Sequence, residues 1–155
     1  MEITDLINLG SIIPELKASS KKQTLQELAH HAEKLIPQAH HDILDILLER
    51  ERLGTTGVGH GVAIPHGKFS GLERPYGLFA RLDQPVDFES LDDQPVDLVF
   101  LLLVPENAGA DHLKALAKVS RILRDKGTCD KLRGSEGGDA IYAILTSATQ
   151  SSHAA

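Results

Sequence analysis

A histidine between a proline and a glycine closes the most unusual segment of the chain, the run GVGHGVAIPHGK at residues 57–68. Glycine allows close backbone approach and proline pre-sets a turn, so His66 would be held rigidly at the end of a short apolar strand with access to solvent. A neutral imidazole has a nitrogen lone pair and a pKa near neutrality, so this placement suits a nucleophile. A lone histidine beside a turn is also typical of an ordinary surface residue, and spacing alone leaves both interpretations open.

Other chemistry suggested by the glycines and histidines is less well supported. The G-x-G at residues 57–59 resembles the start of a dinucleotide fingerprint, but Val62 stands where the third glycine belongs and no G-K-[ST] follows. The doublets His30-His31 and His40-His41 suggest metal ligands by count, but adjacent helical residues point apart. Cys129 has no second cysteine. We therefore expect neither a metal nor a cofactor, and interpret both doublets as solvated side chains.

Hydrophobic periodicity indicates the elements that would position these residues. Helices are expected from Ser20-Lys21-Lys22-Gln23, a capping-box pattern, to Pro37, from about Asp42 to Gly54, from about Ala110 to Gly127, and from about Asp139 to Leu145. Strands are expected at 12–16, 62–64, 76–82 and 96–104. The last of these, VDLVFLLLV, is apolar throughout, which is typical of a central strand covered on both faces. The order predicts an α/β or α+β domain with one sheet and helices against both faces.

Composition limits the class of protein. The 155 residues carry a formal net charge of −6, one cysteine and eight histidines. The acidic balance disfavours a nucleic-acid binder, and one cysteine cannot form an intrachain disulfide. The longest apolar run is too short to cross a bilayer, and the acidic N-terminus is unlike a signal peptide. We expect a cytoplasmic protein with no membrane insertion, with a domain at 1–146 and a flexible C-terminal tail at 147–155.

Three segments of the chain also resemble one known protein family. The run RERLGTTGVGHGVAIPHG at residues 50–67 resembles the phosphorylation-site signature of type-2 enzyme IIA domains of the bacterial phosphoenolpyruvate-dependent phosphotransferase system. DDQPVDLVFLLLVPE at 92–106 and HLKAL at 112–116 resemble the same family in the expected order. The likeness extends from about Ile3 to Leu145, and LGTTGVGHGVAIPHGK is more similar to the nitrogen-regulatory branch than to the mannitol or fructose branches. It implies the type-2 EIIA fold, an α/β domain with a single mixed β-sheet and helices packed on both faces.

The resemblance also implies roles for individual residues. His66 would accept a phosphoryl group from an HPr-like phosphocarrier protein (NPr) and become a tele-phosphohistidine, with Arg50 and His112 stabilising the phosphoryl oxygens. Thr56 is a possible hydroxyl donor. His60 would share a face with His66 if residues 60–66 formed one alternating strand, and it is otherwise a loop residue.

Three functions follow in decreasing order of support. The first is a regulatory phosphocarrier whose phosphorylation state controls partners such as potassium-transport or sensor-kinase proteins. The second is a sugar-specific IIA component that passes phosphate to a IIB protein. The third is a metal-dependent hydrolase using His60, His66, Asp111 and His112. A purely structural interaction domain is possible only if His66 is inert.

Overall fold

The apolar run before Pro105 forms the central strand β6 (Val96–Pro105), as its composition predicts. Its alternate side chains enter two separate buried cores: Val99 and Leu101 belong to one, and Leu98 and Phe100 to the other. A strand reads as a continuous apolar run when both of its faces are covered. The prediction of helices on both faces of one sheet is therefore confirmed.

One mixed sheet contains all six strands of this computed structural model, which describes the backbone of residues 1–154 and the side chains of residues 1–147. The other strands are β1 Ile12–Leu16, β2 Gly57–Gly59, β3 Val62–Ala63, β4 His66–Phe69 and β5 Tyr76–Val86. The strand order is β1-β5-β6-β3-β2. β4 pairs with residues 102–105 of β6, further along that strand than the residues that pair with β3. β5 is antiparallel to β6, whereas β3 and β4 are parallel to it.

Five α-helices pack on the two faces in the described part of the chain: α1 Lys21–Ala32, α2 His40–Arg52, α3 Ala110–Arg124, α4 Lys126–Gly134 and α5 Gly137–Ala154. α1 and α2 contribute to the core that contains Leu101. α3, α4 and α5 contribute to the core that contains Phe100. Short 3₁₀ helices at Ile3–Asp5 and Leu9–Ser11 precede β1. No helix in the described residues combines the length and apolar character needed to cross a bilayer.

The start of α1 confirms half of the predicted capping box. The Ser20 hydroxyl accepts a hydrogen bond from the Gln23 N–H at 3.0 Å, which satisfies one of the amides exposed at a helix start. The Gln23 side chain, however, accepts from the Ser19 N–H at 2.7 Å instead of reaching the Ser20 backbone. The cap is therefore built from two consecutive serines.

The C-terminal region differs from the prediction in one element. Gly127 does not end the helical region but lies in the first turn of α4. Asp125 starts this helix, because its carboxylate accepts hydrogen bonds from the Thr128 N–H and hydroxyl at 2.9 and 2.7 Å. α5 also continues past Leu145. The domain boundary at residue 146 and the flexibility of residues 147–155 stay predictions, and Ala155 lies outside the described residues.

Candidate functional site

His66 is the first residue of β4 and lies beside Leu102 of β6. It is half-buried, and its Nδ1 lies 2.8 Å from the carbonyl oxygen of Ile64. A carbonyl can only accept, so Nδ1 carries the hydrogen and Nε2 has the lone pair. Strand geometry thus fixes both the direction of the ring and its tautomer, and leaves Nε2 as the nucleophilic atom.

Burial lowers the pKa of His66, and the Arg50 cation lowers it further; the Ile64 carbonyl and the Glu51 carboxylate act in the opposite direction. The net effect is a pKa below that of an ordinary histidine. The neutral, nucleophilic ring is therefore the dominant form at neutral pH.

Arg50 lies in the last turn of α2 and points its guanidinium at the nucleophilic nitrogen. Its Nε donates to Nε2 of His66 at 3.3 Å, and its Nη1 donates to the carbonyl oxygen of Gly54 at 2.8 Å. The second contact holds the planar group in place without using its other donors. Those donors suit the oxygens of a phosphoryl group bonded to Nε2.

His112 reaches the same place from the first turn of α3. The centroids of the His112 and His66 rings are 5.7 Å apart. Nε2 of His112 is buried, and it has no hydrogen-bond partner among the described residues. Burial, His66 and Lys68 lower the pKa of His112, so it is a neutral hydrogen-bond donor or acceptor at neutral pH. A buried polar atom without a partner is costly, and an oxygen of a group on His66 would satisfy it.

Glu51 is a supporting residue that sequence reasoning missed. It lies in the charged run ERER at residues 49–52, whose members Glu49 and Arg52 are exposed. The Glu51 side chain is only 6% exposed and pairs with Lys21 at 2.7 Å. Both of its oxygens accept from the Thr56 N–H at 3.2 Å, and one also accepts from the Thr56 hydroxyl. The Thr56 carbonyl in turn accepts from the Ile64 N–H at 2.9 Å. Glu51 therefore ties the end of α2 to the segment that carries His66.

The two remaining candidates are placed differently from Arg50 and His112. Thr56 is buried and its hydroxyl is bonded to Glu51. His60 lies in the exposed turn between β2 and β3, where its φ of 57° and that of Gly61, 80°, match a tight hairpin. Its N–H donates to Asp92 at 2.9 Å, and its carbonyl accepts from Arg133 at 2.8 Å. β3 ends at Ala63, so residues 60–66 do not form one alternating strand. A phosphate contact from either residue stays a prediction.

Gly67 allows α2 to approach β4. A Cβ at this position would lie 2.8 Å from Cγ2 of Ile46 and 3.2 Å from Cε2 of Phe69, closer than side chains normally approach. Because α2 carries both Ile46 and Arg50, the missing side chain helps to set the distance between Arg50 and His66.

Gly67→Ala is therefore expected to destabilise the fold by about 1–3 kcal/mol, the usual cost of overpacking, measured by denaturant unfolding. Gly134→Ala is the matched control, because a Cβ there meets nothing within 4 Å and its φ is not positive. Ile46→Ala should relieve the clash, so the double variant should lose less stability than the sum of the two single variants. Additive losses, or equal stability of the Gly67→Ala and Gly134→Ala variants, would contradict this explanation.

The site as a whole combines a neutral nucleophilic nitrogen, a guanidinium aimed at it and a second imidazole with an unpartnered nitrogen. Nucleophile, cation and hydrogen-bond donor are the groups that acceptance of a phosphoryl group requires. The alternative set His60, His66, Asp111 and His112 does not converge as metal ligands; in the described residues the group that does is His30, Glu33 and His40.

Comparison with known proteins shows what the chain is similar to. Residues 5–148 match the family model described as phosphoenolpyruvate-dependent sugar phosphotransferase system, EIIA 2. A nitrogen regulatory protein of Bradyrhizobium diazoefficiens is 61% identical over 145 residues, which cover 94% of this chain and 95% of that protein. The crystal structure of nitrogen regulatory protein IIA-Ntr from Neisseria meningitidis superposes with a TM-score of 0.88 at 38% identity, covering 93% and 99% of the two chains. IIA mannitol from Escherichia coli, at 20% identity and a TM-score of 0.74 with coverage of 90% and 98%, shares the fold.

Proposed function

Because the chain belongs to the type-2 EIIA family of the phosphotransferase system, and within it to the nitrogen-regulatory branch, we propose that it is a regulatory phosphocarrier that accepts a phosphoryl group on Nε2 of His66. The observation that carries the proposal is the 3.3 Å contact from Nε of Arg50 to this nitrogen. The hydrogen bond from Nδ1 to the Ile64 carbonyl oxygen leaves the lone pair of the ring on Nε2. The nucleophilic nitrogen and the guanidinium that would bind the phosphoryl oxygens therefore already lie side by side.

The phosphoryl donor in this proposal is an HPr-like phosphocarrier protein (NPr). Nε2 of His66 attacks phosphorus in line as the N–P bond of the carrier's phosphohistidine breaks, while the hydrogen on Nδ1 stays bonded to Ile64. The product is a tele-phosphohistidine. Arg50 then turns its donors from the ring nitrogen to the phosphoryl oxygens, and Nε2–H of His112 supplies another hydrogen bond.

Exposed apolar side chains close to the site residues in the chain support docking of a protein donor. Leu53 and Leu113 are 81% and 67% exposed, and they follow closely after Arg50 and His112 in the chain. Exposed large apolar side chains around a polar centre are typical of a surface that a protein partner covers. The carrier would cover this rim and exclude water during transfer.

The output of the proposed phosphocarrier is control of partner proteins in the cytoplasm, of the kind that regulate potassium transport or act as sensor kinases. Phosphorylation adds about two negative charges to the surface around His66. A partner with an acidic docking face would be repelled and one with a basic face attracted, so the same surface has two binding states.

The full chain incubated with phosphoenolpyruvate, the first enzyme of the phosphotransferase system and the HPr-like carrier should gain one acid-labile phosphoryl group, detected by intact-mass spectrometry. Omission of the carrier is the control and should prevent the gain. No phosphorylation with all components present would refute the proposal. Rapid onward transfer to a IIB protein, coupled to sugar uptake, would instead support the sugar-specific alternative.

A further inference from the structure

A second cluster of histidines lies where α1 ends and α2 begins. His30 occupies the last turn of α1, Glu33 is the residue that caps that helix, and His40 is the first residue of α2. The rings of His30 and His40 stack with their centroids 4.1 Å apart and their planes at 24°. Nδ1 and the N–H of His40 lie 3.2 and 3.1 Å from the same oxygen of Glu33.

These three side chains have the chemistry and the spacing of a transition-metal site. Each offers one ligand atom, and the three atoms lie within 4.8 Å of one another. Tetrahedral zinc, with bonds of about 2.0–2.2 Å, places its ligand atoms about 3.3–3.6 Å apart. The contact between His40 and Glu33 is already close to this separation. Imidazole and carboxylate ligands suit zinc and neighbouring divalent metals.

The cluster can adjust to a metal without disturbing the core. The side chains of His40 and Glu33 are 41% and 42% exposed, and His30 is exposed, so small rotations can open the stacked rings until both nitrogens face one point. The Glu33 carboxylate already lies against His40, since one of its oxygens is 3.2 Å from Nδ1 and 3.1 Å from the backbone nitrogen. On metal binding the Nδ1 proton of His40 would pass to solvent while Nε2 takes up a proton, so that the neutral ring binds the metal through the Nδ1 lone pair.

We propose that His30, Glu33 and His40 form a binding site for a divalent transition metal of the zinc class, with water completing its coordination. The site is separate from the phosphoryl-acceptor site, since His40 and Arg50 are about 15 Å apart along α2 at 1.5 Å per residue. It links the end of one helix to the start of the next. A metal bound only to the folded chain stabilises that fold by mass action.

The test uses the full chain without a polyhistidine tag, stripped with a chelator and titrated with zinc chloride by isothermal titration calorimetry. We expect one zinc per chain and a zinc-dependent rise in Tm. His30→Ala, Glu33→Gln and His40→Ala should each weaken zinc binding by at least about tenfold, because loss of a direct ligand costs no less than loss of an outer-shell partner.

His31→Ala and His41→Ala are matched controls, because each removes the other member of a doublet, and both should bind zinc as the wild type does. Zinc-free Tm values of all variants establish that each one folds, and His40→Gln replaces His40→Ala if that variant does not. His66→Gln tests whether the His66–His112 pair is the source of the signal, and it should retain binding. Absence of zinc binding, binding unchanged in the His30 and His40 variants, or binding lost in His66→Gln would overturn the proposal.

Discussion

His66→Gln is expected to abolish phosphorylation by the HPr-like carrier, with a loss of at least about 10³-fold, as for removal of other nucleophiles. Glutamine keeps polarity and similar volume, but its amide nitrogen has no available lone pair comparable to Nε2. The measurement is the rate of acid-labile phosphoryl uptake, followed by intact mass. Far-UV circular dichroism and Tm should remain near those of the wild type, because the ring is only half-buried.

His41→Gln is the matched control for this experiment. It makes the same chemical change at an exposed histidine of α2, whose Nε2 lies 3.6 Å from an oxygen of Asp42. Its phosphorylation rate should stay near the wild-type rate. Phosphoryl uptake by His66→Gln, or a loss in His41→Gln as large as in His66→Gln, would contradict the assignment of the acceptor.

Arg50→Gln is expected to slow phosphoryl transfer by about 10²–10³-fold, the usual effect of removing a donor aimed at developing charge. It should also change the pH dependence. Arg50 lowers the pKa of His66, so the pKa should rise in its absence, and the neutral nucleophile should be lost at a higher pH as the solution is acidified. The acid limb of the pH–rate profile should therefore move to higher pH. The midpoint of the His66 titration followed by NMR should move in the same direction.

Arg50→Lys separates the two effects. A lysine keeps the positive charge that lowers the pKa of His66, but it lacks the planar fork that matches phosphoryl oxygens. The acid limb of the Arg50→Lys profile should therefore lie close to that of the wild type, whereas its rate of phosphoryl transfer should stay close to that of Arg50→Gln. Arg52→Gln is the control, because Arg52 is exposed and pairs with Glu49 at 2.9 Å. A wild-type rate in Arg50→Gln, or an acid limb that moves to lower pH, would contradict the proposed role of Arg50 in transfer and in lowering the pKa of His66.

Local patterns were sufficient for most of the fold. The all-apolar strand at Val96–Pro105, the serine cap before α1 and the helical periodicity of α3 are signals within a few residues of each other, and each produced the predicted element. The sheet with helices on both faces followed from their order. α4 was missed because Gly127 is a common helix stop, and the cap at Asp125 outweighs it.

The site was predictable only in part, because some of its contacts join residues that are far apart in the sequence. The P-H-G context singled out His66, and the resemblance pointed to Arg50 and His112, which the structure brings together. Glu51 was missed because its partner Lys21 is distant in sequence and its burial depends on the packing of α1 beside α2. No local pattern distinguishes it from the solvated carboxylate of Glu49.

The sequence by itself determined the class of fold and the family and named His66 as the candidate nucleophile, because these depend on residue types, short spacings and a resemblance carried by short motifs. Only the tertiary structure decided which nitrogen of His66 keeps the lone pair, since that depends on the Ile64 carbonyl at 2.8 Å from Nδ1. It also showed a contact between the two histidine doublets that their spacing does not predict. Neighbours such as His30 and His31 diverge on a helix, but chain reversal between α1 and α2 places His30 against His40. Contacts between separate elements arise from packing, which no spacing rule along one element can encode.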